Sequence, residues 1–431
     1  MIRSLPRDLA AAVALACLQA FTLAAARSAQ ADTDPFAGMT TLERESLVHA
    51  VLERNPSIEA ARTAWRAAAA MPAQERALDD PMIGYAFAPQ SVGVSDLEYG
   101  QVIELGQKLP FPGKRGIRAL VAQAEARAAE GDYESMRRDI ALMASMLFDE
   151  YYAASRAVEV NKRHGELLKE MLASAKASYA AGRIPQHSLV RVELQLAHVL
   201  HDAAEVHSDT DSAQAAINAL LRRPPTAPLP PPPARITPSD LAFVEEMGAV
   251  STDLQRPEII AARARVDAAD SAVRLARREY FPDFTVGGEY NTMWEDDEHR
   301  LMVGVQMEIP LQLGRRKAAL AAAEAGAKSR RAELASLEDN VAAEIQMARR
   351  RYEKAEHITA LYRDNLLPAA QDVISSARAG LAASTVEFGE LIDAEHELRT
   401  IELEYEMSIA DLARRRAELE RSLGRIPGVK P

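Results

Sequence analysis

The chain carries one pattern twice. Asn55-Pro56-Ser57-Ile58-Glu59-Ala60-Ala61-Arg62 returns as Arg256-Pro257-Glu258-Ile259-Ile260-Ala261-Ala262-Arg263, which sets Pro257 201 positions after Pro56. Pro81 returns as Pro282 and Gly113-Lys114-Arg115 as Gly314-Arg315-Arg316, at the same offset, and Ala181-Gly182 returns as Ala379-Gly380 at 198. Four landmarks in one order at nearly one spacing mark a tandem duplication, and a repeat constrains the fold more than any local signal does. The expected division is a signal peptide at 1–31, a first unit at 32–223, a Pro-rich linker at 224–238, a second unit at 239–424 and a tail at 425–431.

Each unit reads as a short helix, two alternating segments, a very long helix, a glycine-marked turn and a return helix. Asn55 can cap the opening helix and Pro56 suits its first position. The long helices run from Lys114 to Ala181 and from Arg315 to Ala379. At about 1.5 Å per residue each spans on the order of 100 Å, beyond what one globular core covers. Met136, Ile140, Met143, Leu147 and Tyr151 fall three or four apart and make one seam, so these helices must pack laterally as coiled-coil pairs. Hydrophobic residues are 48% of the chain but aromatics only 5%, so the packing must rely on alanine and close helix approach. Pro368 lies inside the second long helix and should kink it. The return helix from Gln186 to Leu221 covers only part of the first long helix. The opening helix, from Asn55 to about Leu78, is expected to cover most of the rest, end to end with it.

The alternating segments are Pro81 to Pro89, Leu97 to Lys108, Asp283 to Thr292 and Arg300 to Ile309. In the third, Phe284, Val286, Gly288 and Tyr290 share one face, against Thr285, Gly287, Glu289 and Asn291. Period-two alternation marks strands with one apolar face. A small soluble sheet packed on helices would show it too. The lengths also suit membrane-spanning strands, where a bulky apolar face meets lipid and a small or polar face meets water. Four strands cannot close a barrel, since the smallest membrane barrels need about eight, so several chains would share one.

The N-terminus reads as a signal peptide: Arg3 and Arg7, an apolar run from Leu9 to Ala26, then Ala29-Gln30-Ala31. Cys17, the only cysteine, follows Ala14-Leu15-Ala16 in a loose lipobox and is a candidate lipidation site; the alternative is a small apolar residue of the signal peptide. A net charge of −12 argues against a nucleic-acid partner. No phosphate loop, cysteine pair or H-E-x-x-H occurs, so no enzyme and no cofactor are expected.

With these features in place, the chain resembles the TolC-like outer-membrane efflux proteins over about Thr40 to Leu423. The resemblance rests on Asn55-Pro56 and Pro257, the strand pairs, Leu109-Pro110-Phe111-Pro112-Gly113-Lys114-Arg115, Ala180-Ala181-Gly182-Arg183-Ile184-Pro185-Gln186, Val192-Glu193-Leu194 and Leu391-Ile392-Asp393-Ala394. It implies a mostly α chain with a small β part: four transmembrane strands contributed to a trimeric twelve-stranded β-barrel, with a periplasmic α-barrel of coiled-coil hairpins. It further implies a homotrimer in outer-membrane lipid, partnered by a periplasmic adaptor and an inner-membrane pump of the RND type. The proline-glycine-lysine-arginine stretch looks most like the heavy-metal branch. Drug efflux and type I protein secretion are served by the same architecture. Readings of another class are a pore-less envelope coiled coil and a periplasmic metal-binding protein.

Candidate functional residues follow. Gly182 and Gly380 are expected at the periplasmic tip turns, with φ > 0 to end each helix. Glu387, Glu390 and Asp393 are candidates for an acidic ring at the tunnel entrance, against plain surface charge on a helix. His198 and His201, with Asp202 and Glu205, share a helix face and are candidate metal ligands, against a solvated polar face. Trp294 lies in the loop between the last two strands, at a place suited to the lipid interface or to an ordinary hairpin loop.

Overall fold

The computed structural model describes residues 34–89, 100–241, 256–294, 296–383 and 385–429. The expected signal peptide, Cys17 and residues 97–99 of the second alternating segment lie outside the described residues. In chain order the elements are α1 (Arg44–Arg54), α2 (Pro56–Arg76), β1 (Met82–Phe87), β2 (Gln101–Leu109), α3 (Lys114–Ala180) and α4 (Gln186–Leu220). They continue with α5 (Pro257–Arg278), β3 (Asp283–Asn291), β4 (Leu301–Glu308), α6 (Leu313–Leu361), α7 (Leu367–Ala382) and α8 (Phe388–Ser422).

Local chemistry sets the ends of these elements. The Asn55 side chain accepts from the Ser57 amide at 2.9 Å, and Pro56 takes a first-turn place that needs no donor. Gly113 opens α3 at φ +94° and Gly182 ends it at φ +68°. There the Arg183 amide donates to Ser178 O and the Gly182 amide to Tyr179 O, both at 2.9 Å, the paired bonds of a left-handed helix stop.

The 67 residues of α3 form the shaft of the molecule, about 100 Å long. Helix α2 lies along its first stretch, with Trp65 stacked on Tyr133 at 5.6 Å and Arg115 donating to Arg76 O. Helix α4 lies along its last stretch, where Lys176 meets Glu193. The two short helices meet end to end, the Asn55 side-chain Nδ2 donating to Leu220 O at 3.2 Å. That is the arrangement expected from their lengths. On another side of the shaft α5 covers the first part and α8 the later part. The α3–α5 contact is very close: a Cβ on Gly131 would stand 2.7 Å from Pro257 O and 2.9 Å from the Ala261 Cβ. Ala119, Ala122, Ala124 and Ala128 are buried along the same stretch. Alanine packing of this kind explains why so few aromatics suffice.

The cores are strung along the shaft. One gathers Leu47, Val51, Ile58, Ile140, Phe148 and Ile217, and another gathers Leu168, Val192, Val199, Ile374, Phe388 and Ile392. Each fully buried aliphatic side chain contributes roughly 1.5–3 kcal/mol. The proline run does not hang free. Leu42 N donates to Pro231 O at 2.8 Å, and the Asn218 amide holds Pro225 O and Ala227 O.

The second long helix departs from expectation. It is not one kinked rod: α6 stops at Leu361, Tyr362–Leu366 form a wider π-type turn, and α7 resumes with Pro368 in its first turn. Proline lacks the amide donor and its ring crowds the carbonyl four residues back, so the preceding turn widens to accept it.

The strands form one antiparallel sheet in the order β1-β2-β3-β4. Register runs Tyr85–Ile103–Tyr290–Leu301 across it, with Ile83–Leu105–Gly288–Val303 and Gly106–Gly287–Gly304 as neighbouring rows. Among the described residues, β1 and β4 are edges, and no helix is long and apolar enough to cross a membrane.

Candidate functional site at the helix tips and the strand face

At the strand end, alternation becomes a two-sided surface. One face carries Ile83, Tyr85, Ile103, Leu105, Tyr290, Leu301, Val303 and Val305. All are exposed, Val303 to 79% and Ile83 to 77%. The opposite face carries Gly84, Glu104, Glu289, Lys108, Thr285 and Gln306 in register. A continuous apolar face of this size on a two-edged sheet is what lipid covers and water does not. In the loop before β4, Trp294 lies near His299, ring centroids 6.5 Å apart, and its carbonyl accepts from Arg300 Nε.

At the other end, two turns bring α3–α4 and α7–α8 around. Gly182 sits in its turn as expected, in the left-handed region. Gly380 does not. It lies inside the last turns of α7, which ends at Ala382, with no positive φ. Its missing side chain serves close approach instead: a Cβ there would stand 2.4 Å from Val386 Cγ2, while the Thr385 amide donates to Gly380 O at 2.8 Å. The chain has reversed by Phe388, where α8 begins.

Glu387 precedes α8 in an extended conformation, Glu390 lies in its first turn and Asp393 one turn further. All three are exposed, while Phe388, Gly389, Leu391, Ile392 and Ala394 are buried. The three acids therefore leave the core on one side of α8. Near the helix N-terminus they also complement its dipole. Asp393 has a partner: Arg191 of α4 donates to its Oδ1 at 2.5 Å and passes over Gly389, where a Cβ would stand 2.8 Å from the guanidinium.

The histidine face of α4 is engaged differently. His201 Nε2 stands 3.4 Å from Glu205, and Asp202 is ion-paired to Arg399 of α8. Among the described residues no group of three or more His, Cys, Asp and Glu is arranged to hold a metal, and so His198 and His201 gain no further ligand.

Sequence reasoning missed a cluster between α3 and α8. His164, 3% exposed, sets Nδ1 2.5 Å from Glu395 and Nε2 2.9 Å from Glu402. Arg399 donates to Asn161 at 3.0 Å beside it. The available signal was spacing. Asn161 and His164 continue the buried seam of Leu168, Met171 and Ala175, so polar residues occupy core places there.

The profile of the outer membrane efflux protein family matches residues 251–425. The first half repeats the same order of helix, two strands and long helix. Over that second repeat the chain is similar to the outer-membrane efflux protein family. The chain is 22% identical over 342 residues to the cobalt-zinc-cadmium resistance protein CzcC of Cupriavidus metallidurans, covering 78% of each chain. Its fold matches that of CusC at a TM-score of 0.77 and 16% identity, covering 90% of this chain and 93% of that one. It matches VceC of Vibrio cholerae at 0.71 and 18% identity, covering 89% and 96%. The chain thus has the fold of these proteins, and its second repeat is similar to the outer membrane efflux proteins.

Proposed function

We propose that the chain is an outer-membrane efflux protein, that three copies of it share one twelve-stranded β-barrel continued by a periplasmic helical tunnel, and that this passive duct releases heavy-metal cations. The observation that carries the assembly is the sheet. Four strands with an exposed apolar face and two open edges cannot close alone, and three copies supply twelve strands. A periplasmic adaptor and an inner-membrane pump of the RND type would deliver the cargo to the tips. The metal reading is supported by the likeness to CzcC and by the outward acids Glu387, Glu390 and Asp393.

A clean deletion strain, with and without complementation, tests the cargo against copper, silver, zinc, cobalt, cadmium and several drugs. Hypersensitivity confined to metals is expected. Sensitivity to drugs alone would discard the metal cargo and keep the duct; no change in either would discard both cargo classes.

A further inference from the structure

His164 lies 18 residues before the turn at Gly182, about 27 Å along α3 from the tip. Its two ring nitrogens face two different carboxylates, both on α8. A neutral imidazole carries one N–H and can satisfy only one of them. The doubly protonated ring donates to both, so it is the form the geometry fits.

The surrounding charges come from four helices. On α3, Arg163 is ion-paired to Glu402. From α7, Arg378 approaches Glu395 at 3.7 Å. On α8, Arg399 joins Asn161 of α3 to Asp202 of α4. Glu395 is 1% exposed, and its second oxygen accepts no hydrogen bond. Without the charge on His164, this buried carboxylate keeps only the distant Arg378 as a cation. An uncompensated buried charge is strongly destabilising.

We propose that His164, Glu395 and Glu402 form a pH-operated clamp, which bolts α3 to α8 while the imidazole is charged and releases the tip-ward stretch when it is not. Burial pushes the His164 pKa down, but hydrogen bonds from the ring to Glu395 and Glu402, with their charges, outweigh it and hold the pKa above the ordinary 6.5. A pKa raised on folding gives stability that is complete below the unfolded value and is lost as pH rises through the folded one. Burial raises the Glu402 pKa, but the His164 and Arg163 partners outweigh it and leave it below 4.5. The Glu402 arm therefore stays charged below the ordinary glutamate range, and the clamp opens as pH rises past the raised His164 pKa.

Hydrogen–deuterium exchange on the full-length protein in lipid nanodiscs tests the clamp without reference to cargo. Rates are corrected for intrinsic pH dependence from about pH 5 to about pH 9. Peptides covering 160–168 and 392–404 should exchange faster at the alkaline end. The gain is about tenfold for each pH unit by which the folded pKa exceeds the ordinary one. His164→Gln should abolish the pH step, and Glu402→Gln should move its midpoint to lower pH. A flat wild-type profile, or a step that survives in H164Q, would overturn the clamp. If H164Q does not fold, E402Q decides: its Glu402 is partly exposed, and an unmoved midpoint refutes the proposal.

Discussion

Gly182 and Gly380 hold equivalent places in the repeat and answer different needs. Gly182 is required for its backbone, at φ +68°. Gly182→Ala should cost about 1–2 kcal/mol, seen as a lower melting temperature and faster exchange in residues 178–186. Gly380→Ala keeps a helical backbone but drives a methyl into Val386, so its damage should be cured in part by Val386→Ala. The sequence shows a glycine at both places but not which use it serves, since a glycine required for φ and one required for space look alike. His164 was illegible for a similar reason: one of nine histidines, identifiable only through its place on a buried seam. Another charged site can be read by titration. Burial raises the Glu258 pKa, but Arg256 and Arg421 outweigh it and draw the carboxyl down to about 2. Its contribution, roughly 1–3 kcal/mol after allowing for partial solvent screening, is present above about pH 4.5 and lost as pH falls toward 2. Glu258→Gln should lower stability at neutral pH and flatten that acid limb in a pH series of thermal melts.

Among elements, the strands were the most legible, because period two leaves little choice. Asp283 to Thr292 was expected, and Asp283–Asn291 is found. Their two faces also make sharply different predictions. Val303→Arg puts a charge on the apolar face, at a cost of about 2–4 kcal/mol if it lies near the bilayer midplane. Folded channel recovered in the outer-membrane fraction should fall. Gln306→Arg, on the opposite face of the same strand, should leave that yield near wild type. The break between α6 and α7 was only half legible. Proline announces a disturbed helix, but whether it bends or widens depends on what packs beside it. Here the Tyr362 hydroxyl donates to Glu404 of α8 at 3.0 Å from within the wide turn. Pro368→Ala should slow amide exchange over residues 361–370, because an amide donor returns to the helix.

At the scale of the whole molecule, the repeat made the overall plan legible before any coordinates. The pairing of distant parts was not, because Arg191 and Asp393 lie 202 positions apart on different units. That pair shapes the electrical test of the tip. In the proposed assembly each acid occurs three times around the entrance. Glu390→Gln should lower cation preference in single-channel recordings. Asp393→Asn should lower it further, since it also unmasks the Arg191 guanidinium. Equal preference in wild type and both variants would remove these residues from the entrance.

An open four-stranded sheet also has a genetic meaning. In the proposed assembly a chain supplies only a third of the wall and shares its fate with two others. When a blocked variant and the wild type are made in equal amounts and mix freely, only about one channel in eight is wholly wild type. A defect at the tip should therefore be dominant, and resistance in such a merodiploid should fall well below half. A defect that prevents a chain from entering the barrel should be recessive, because the intact chains then assemble only with one another.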